Sequence, residues 1–183
     1  MDSRLKHLIA EYTELEREVQ VLVSAQCRSG CELCTACCCR AYLCEEALES
    51  PFLCALHGKD ELDSDRYGFL TETGCALKIG RPPVCYEFFC DELMAAQPDD
   101  LHRDVLRVLG RLPSYAGENA HGEAHLVEVM QEEELEHLAF QRLEKQMQNA
   151  REALDCIHAF YNEGALPEHS RRALSRITAS SEN

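Results

Sequence analysis

Six of the chain's twelve cysteines fall between Cys27 and Cys39, in the run Cys27-Arg-Ser-Gly-Cys31-Glu-Leu-Cys34-Thr-Ala-Cys37-Cys38-Cys39. No other feature restricts the fold so tightly. Cys31, Cys34 and Cys37 stand at i, i+3 and i+6, so their sulfurs can converge on one point where the backbone coils through a tight loop. Thiolates gathered in this way are soft ligands that select zinc, Cu(I) or an iron–sulfur cluster. The competing reading is a disulfide scaffold. It fares badly because Cys37, Cys38 and Cys39 are contiguous, and disulfide geometry disfavours bridges between neighbours.

Composition narrows the setting. Hydrophobic residues make up 45% of the 183 residues, and setting aside the 12 cysteines leaves roughly 38%, enough for an ordinary core. With 18 basic and 33 acidic residues the formal charge is −15. Such a surface repels phosphate backbones and anionic lipid, which argues against nucleic acid and membrane partners. Charged residues from Asp2 to Glu18 leave no apolar stretch for a signal peptide. No segment approaches the ~20 apolar residues of a membrane span. A soluble cytoplasmic protein is therefore expected, in a compartment where thiols stay reduced.

Periodicity predicts a mostly α fold, with amphipathic helices packed around an irregular cysteine-rich metal-binding region. Leu5, Leu8, Ile9, Tyr12, Leu15, Val19, Leu22 and Val23 mark a helix over residues 3–26, with Ser3 as its N-cap. A short helix over residues 45–53 is broken by Pro51. Residues 54–81 show no sustained period. Further helices are expected over residues 84–96 and 100–109, and residues 113–122 read as a loop. A long helix is predicted over residues 132–162, with Leu135, Leu143, Met147, Leu154 and Ile157 on or beside one stripe. Gly164 ends it, and Pro167 starts a last short helix. The division expected is a first part over residues 1–112, carrying the cysteine motif at 27–95, and a helical hairpin over 113–183 packed on it. The long stripe reads as core or as a seam for a protein partner or a homodimer.

The run Cys31-x2-Cys34-x2-Cys37 copies the first three cysteine positions of a bacterial ferredoxin. The fourth ferredoxin position falls at Ala41, so a further ligand must come from elsewhere, with Cys75, Cys85 and Cys90 as candidates. Adjacent Cys37 and Cys38 point in different directions, so one ligates while the other packs, or the two serve neighbouring metals. Cys85 is expected at the N-terminus of a helix whose dipole would favour its thiolate. Arg81, set before Pro82 and Pro83, could neutralise an anionic thiolate centre or donate hydrogen bonds to its sulfurs. The plainer alternative is a surface arginine before a helix.

The order and spacing of both halves resemble one family. Cys31-x2-Cys34-x2-Cys37-Cys38, then Gly74-Cys75-x5-Arg81-Pro82-x2-Cys85-x2-Phe88-x-Cys90, looks like the YkgJ family of cysteine-cluster proteins. That resemblance spans residues 27–95 and implies a zinc- or iron-chelating domain. Some details depart from the family's pattern. Tyr67 precedes Phe69-Leu70 where a cysteine is common, and Tyr86 stands where an arginine commonly follows Cys85. Cys39, Cys44 and Cys54 lie outside the pattern.

Several other signals carry less. Cys27-x3-Cys31-x2-Cys34 has radical-SAM spacing, but no strand–helix alternation follows it. Glu118-x2-His121 and Glu134-x2-His137 resemble half of a di-iron site, yet both read better as solvated charge. Gly122 weakens the helix that a His121/His125 metal pair would need. Cys27 and Cys156 read as buried thiols outside the ligand set. No phosphate loop, nucleophile elbow or dinucleotide fingerprint appears, so an enzyme is not the favoured reading. The expected metal ligands are drawn from Cys31, Cys34, Cys37, Cys38, Cys75, Cys85 and Cys90, holding a 4Fe–4S cluster or Zn2+ in a structural or electron-transfer role. Two alternatives stand beside this: an Fe–S-dependent protein-modifying enzyme or its accessory subunit, and a metallochaperone.

Overall fold

The computed structural model describes residues 2–31, 41–58, 68–71 and 74–179, and within them the protein is mostly helical. Helix α1 (Ser3–Cys31) is 29 residues long, roughly 44 Å at ~1.5 Å per residue. It passes the expected end by more than one turn, continuing through Gly30 with Arg28 in its last turn, where a cation favours the helix dipole. Leu5, Leu8, Tyr12, Leu15 and Val19 form its buried stripe.

The break at Pro51 falls where the sequence puts it, with helices on both sides, α2 (Ala41–Glu49) and α3 (Pro51–His57). Ser50 caps α3 through its hydroxyl, which accepts the Leu53 N–H, and Gly58 closes it in the left-handed region. Two short antiparallel strands follow, β1 (Leu70–Thr71) and β2 (Gly74–Cys75), with Leu70 opposite Cys75. The single helix expected over residues 84–96 is two short pieces, α4 (Val84–Glu87) and α5 (Asp91–Ala95). Phe88 and Cys90 between them are extended. The Phe89 ring sits against the next helix at Gly110, which draws the backbone out of helical geometry.

That helix, α6 (Asp100–Gly117), corrects the expected loop at residue 113, since Pro113 lies inside it. Proline removes an N–H and costs a helix interior about 3 kcal/mol. The apolar face continues past it in Leu112, Tyr115 and Ala116, all buried, and this burial outweighs the local penalty. The buried Tyr12 hydroxyl donates to the Pro113 carbonyl at 3.3 Å. Residues 132–137 form a 3-10 turn, and α7 (Phe140–Glu163) begins only afterwards. The helix expected from residue 132 is interrupted because the Ala139 N–H donates to the Ala120 carbonyl at 2.8 Å. Helix α8 (Glu168–Thr178) ends the described chain.

Helix α1 packs on both α6 and α7, and α8 covers α6 and α7. Arg4 lies over the Phe140 ring, and Arg151 lies 3.4 Å from both Glu11 and Glu18, so α1 and α7 run in the same sense. Helix α6 runs the other way. His102 at its start meets Phe160 near the end of α7, and Tyr115 near its end accepts from Asn149. Leu135, Leu143 and Met147, on which the homodimer expectation rested, are buried within the chain. That stripe is core. Among the described residues, no helix is long and apolar enough to cross a membrane.

Candidate metal centre

Cys34, Cys37 and Cys38 lie outside the described residues. Cys31 is the last residue of α1, so the cysteine run leaves directly from that helix. The other motif cysteines sit on a limb running from Gly68 to Ala95. Cys75 is half-buried at the end of β2, Cys85 is exposed on α4, and Cys90 is half-buried immediately before α5. Val84 just before Cys85 and Phe88 three residues after it are 43% and 57% exposed. Helix α4 is a single turn, too short to sum the macrodipole expected to act on Cys85.

The packing gives these positions a common direction. Helix α5 rests on α1 and leads within a few residues to the start of α6. His102 there packs on Phe160 and Tyr161 at the end of α7. Burial, and then the Cys27 thiol, push the Tyr161 hydroxyl up to about 12, so Cys27 belongs to this same pole of the bundle. Cys90 and the exit of α1 are therefore on one end of the molecule.

How the limb is held was not foreseen from the sequence. Glu16 lies on the buried stripe of α1 and is 0% exposed. Its Oε2 accepts the Gly80 N–H at 2.7 Å, and its Oε1 accepts the Arg81 N–H at 2.9 Å and the Tyr86 hydroxyl at 2.8 Å. Burial pushes its carboxyl above the usual range, while the Gly80 and Arg81 N–H groups oppose the shift. A buried carboxylate is costly unless its lone pairs are satisfied, and here every partner comes from one stretch, residues 80–86. The legible signal was a glutamate on an apolar stripe, between Leu15 and Val19.

Gly80 has φ +74, and a Cβ there would stand 3.0 Å from the Leu53 carbonyl and the His57 ring. Arg81 is not a lone surface cation. Its Nε donates to the Leu77 carbonyl at 2.8 Å, and its guanidinium lies 6.0 Å from the Tyr86 ring centre. With the Gln20 amide oxygen turned towards it, the guanidinium also donates to α1 at 2.5 and 3.1 Å. On the far side, a Cβ at Gly110 would meet the Tyr86 carbonyl at 2.3 Å, so α6 and α4 touch through bare backbone.

The cysteines outside the pattern have other occupations. Cys54 donates to the Ala47 and Leu48 carbonyls, and burial followed by Glu132 pushes its thiol up. The Cys44 sulfur accepts the Phe69 N–H at 3.5 Å. Cys27 is buried and Cys156 half-buried. His121 is exposed, whereas His125 is half-buried. The His125 Nε2 contacts the Ser114 carbonyl at 2.8 Å, and Nδ1 accepts the Val127 N–H. Glu118 pairs with Arg111 at 2.5 Å.

Among the described residues, no three Cys, His, Asp or Glu side chains form a group that could hold a metal ion. Cys75, Cys85 and Cys90 therefore do not form such a group by themselves. Their chemistry suits zinc or an iron–sulfur cluster, both of which take thiolate ligands. In comparisons with known proteins, no family model matches the chain, and no curated protein or solved structure matches it.

Proposed function

We propose that this is a metal-binding protein whose cysteine thiolates ligate a 4Fe–4S cluster or Zn2+, in a structural or electron-transfer role. One observation carries the reading. The helix that runs into the cysteine run also anchors, through Glu16, the limb bearing Cys85 and Cys90. Cys31, Cys34, Cys37 and Cys38 would come from the run, and Cys75, Cys85 and Cys90 from the limb. The resemblance to the YkgJ family supports the same division into halves. A reducing compartment such as the cytoplasm suits such thiols.

Zinc would close the site as a tetrahedral structural ion; a cluster would supply one-electron transfer. The chain's own contribution is to bring the two halves together and hold the thiols in register. Anaerobic purification with metal and sulfide analysis tests this. Absorption near ~400 nm with acid-labile sulfide identifies a cluster, and colourless protein with stoichiometric zinc identifies the closed ion. Serine at Cys31, Cys34, Cys85 or Cys90 lowers metal content, while Cys156→Ala leaves it unchanged. Full loading in all four serine variants overturns the assembly.

A second reading, a metallochaperone, is favoured by the exposure of Cys85 at the surface. It requires transfer of zinc to a competing chelator to run through an exchange intermediate, with a rate proportional to chelator concentration. A rate independent of chelator excludes it.

A further inference from the structure

We propose that Glu16 is a positioning residue of the metal site, fixing the limb that carries Cys85 and Cys90 against α1. The proposal rests on the metal-binding reading above and adds a residue that lies outside both motif halves.

For helix packing alone, an apolar side chain at position 16 would serve at least as well, since buried charges are often replaceable by hydrophobic residues without loss. Glu16 instead directs both oxygens to the Gly80–Tyr86 stretch, with three bonds of 2.7, 2.9 and 2.8 Å. Packing also holds that stretch, since Pro82 and Pro83 are buried and Tyr86 meets α6 at Gly110, but Glu16 is what ties it by hydrogen bonds to α1. Tyr86 is the only buried residue of α4, and Arg81 reaches only a nearby carbonyl, a ring face and Gln20. Cys85 is the residue immediately before Tyr86, so the Glu16–Tyr86 bond is one residue from a candidate ligand.

The chemistry demands a carboxylate. Oε1 accepts from Arg81 and Tyr86, and Oε2 accepts from Gly80. Glutamine keeps one oxygen and places an NH2 group against a donor, leaving at least one buried N–H or O–H without an acceptor. Aspartate is one methylene too short to reach from the same backbone position. Ligand distances in thiolate sites tolerate only ~0.2 Å, so a limb released from α1 presents its sulfurs poorly even when the helices remain folded.

The test is titration of the metal-free protein, kept reduced, with Co2+ as a spectroscopic stand-in for zinc and then with Zn2+ under chelator competition. Wild type, Glu16→Gln and Tyr86→Phe are compared well below their melting temperatures. Glu16→Gln is expected to weaken binding about tenfold or more, the usual scale for groups that orient ligands, and to alter the d–d bands of the bound Co2+. Tyr86→Phe removes one of the three donors and gives a smaller loss in the same direction. A purely structural role would lower the melting temperature and leave the bands unchanged.

Wild-type affinity and wild-type bands in Glu16→Gln overturn the proposal. If Glu16→Gln does not fold, unchanged affinity in Tyr86→Phe overturns it instead. Wild-type protein that takes up neither metal overturns the metal-binding reading, and with it the metal half of this proposal. The positioning half then stands on amide exchange alone, faster across residues 80–90 in Glu16→Gln and unchanged in α7. Equal exchange in both proteins removes that half too.

Discussion

The four-helix body and the cysteine limb are held together by different forces. In the body, α1, α6, α7 and α8 share one continuous apolar core in which Leu106, Leu109, Leu143, Leu154 and Ile157 are all buried. Area removed from water does most of the work there, and no single polar contact decides the fold. Between Gly68 and Ala95 the elements are two to five residues long. The limb lends only a few side chains to the core, Phe69, Leu77 and Tyr86 among them, and its placement leans on specific devices, namely a carboxylate with three partners and two glycines at close approaches. Distributed burial tolerates local damage; a small set of directional contacts does not. The difference implies that the limb can be released while the body stays folded.

Leu106→Ala should weaken the body as a whole. Removing a fully buried leucine side chain costs about 2–5 kcal/mol, and all helical signal should melt together at a lower temperature. Gly110→Ala should break the limb instead. The added methyl would stand 2.3 Å from the Tyr86 carbonyl, an overpacking strain of about 1–3 kcal/mol. Limited proteolysis should then cut between residues 76 and 90 before any cut appears in α7. Simultaneous loss of every helix in this variant would mean that limb and body form one cooperative unit.

Acid and base should act on the two regions with opposite sign. Glu16, facing Arg81, Tyr86 and Tyr12, has its folded pKa raised above 4.5 chiefly by burial. Its contribution to stability is present at low pH and is lost as pH rises above 4.5 through the folded value. His125 is shifted the other way, with its folded pKa lowered from 6.5 mainly by burial despite the nearby Glu128, Glu118 and Glu87. Its contribution is complete above 6.5 and is lost as pH falls from there through the folded value. Denaturant unfolding between pH 4 and 8, at roughly unit steps, should show each slope vanish separately in Glu16→Gln and in His125→Asn. Identical pH profiles in wild type and His125→Asn would show that the imidazole does not titrate on unfolding. The smallest effect is expected at Arg172, which pairs with Glu168 on the surface of α8. Arg172→Ala should change stability by no more than about 0.5 kcal/mol, measured from the urea midpoint.

The same contrast explains what could be read from the sequence. The body was legible because its helices announce themselves by period, as in Leu5, Leu8, Tyr12, Leu15 and Val19 of α1. Local rules failed where tertiary contacts overrode them. Pro113 suggested a loop, yet burial of Leu112 and Tyr115 carries α6 past it. The start of α7 was misplaced because the bond between Ala139 and Ala120 joins residues far apart in sequence. The limb showed its cysteines and its Arg81-Pro82 approach but not its anchor. Glu16 is 64 residues from Gly80, and a glutamate on an apolar stripe reveals no partner until the chain is folded. Of the expected ligands, Cys75, Cys85 and Cys90 can be located on that limb and Cys31 at the end of α1, and Cys34, Cys37 and Cys38 lie outside the described residues.

The arginines of α6 and α8 bear on how quickly anything charged can find this protein. Arg103 and Arg107 pair with Asp100 and Asp104 on their own helix, Arg111 with Glu118, and Arg176 with Glu152. Spent in these pairs, they leave little unpaired cationic surface among the described residues of these two helices to offset a formal charge of −15. A diffusing cation therefore meets an attractive field from most directions, and an anion meets a barrier. Capture of a positively charged species should be fast in dilute buffer and slow markedly as added salt shortens the ~10 Å screening length.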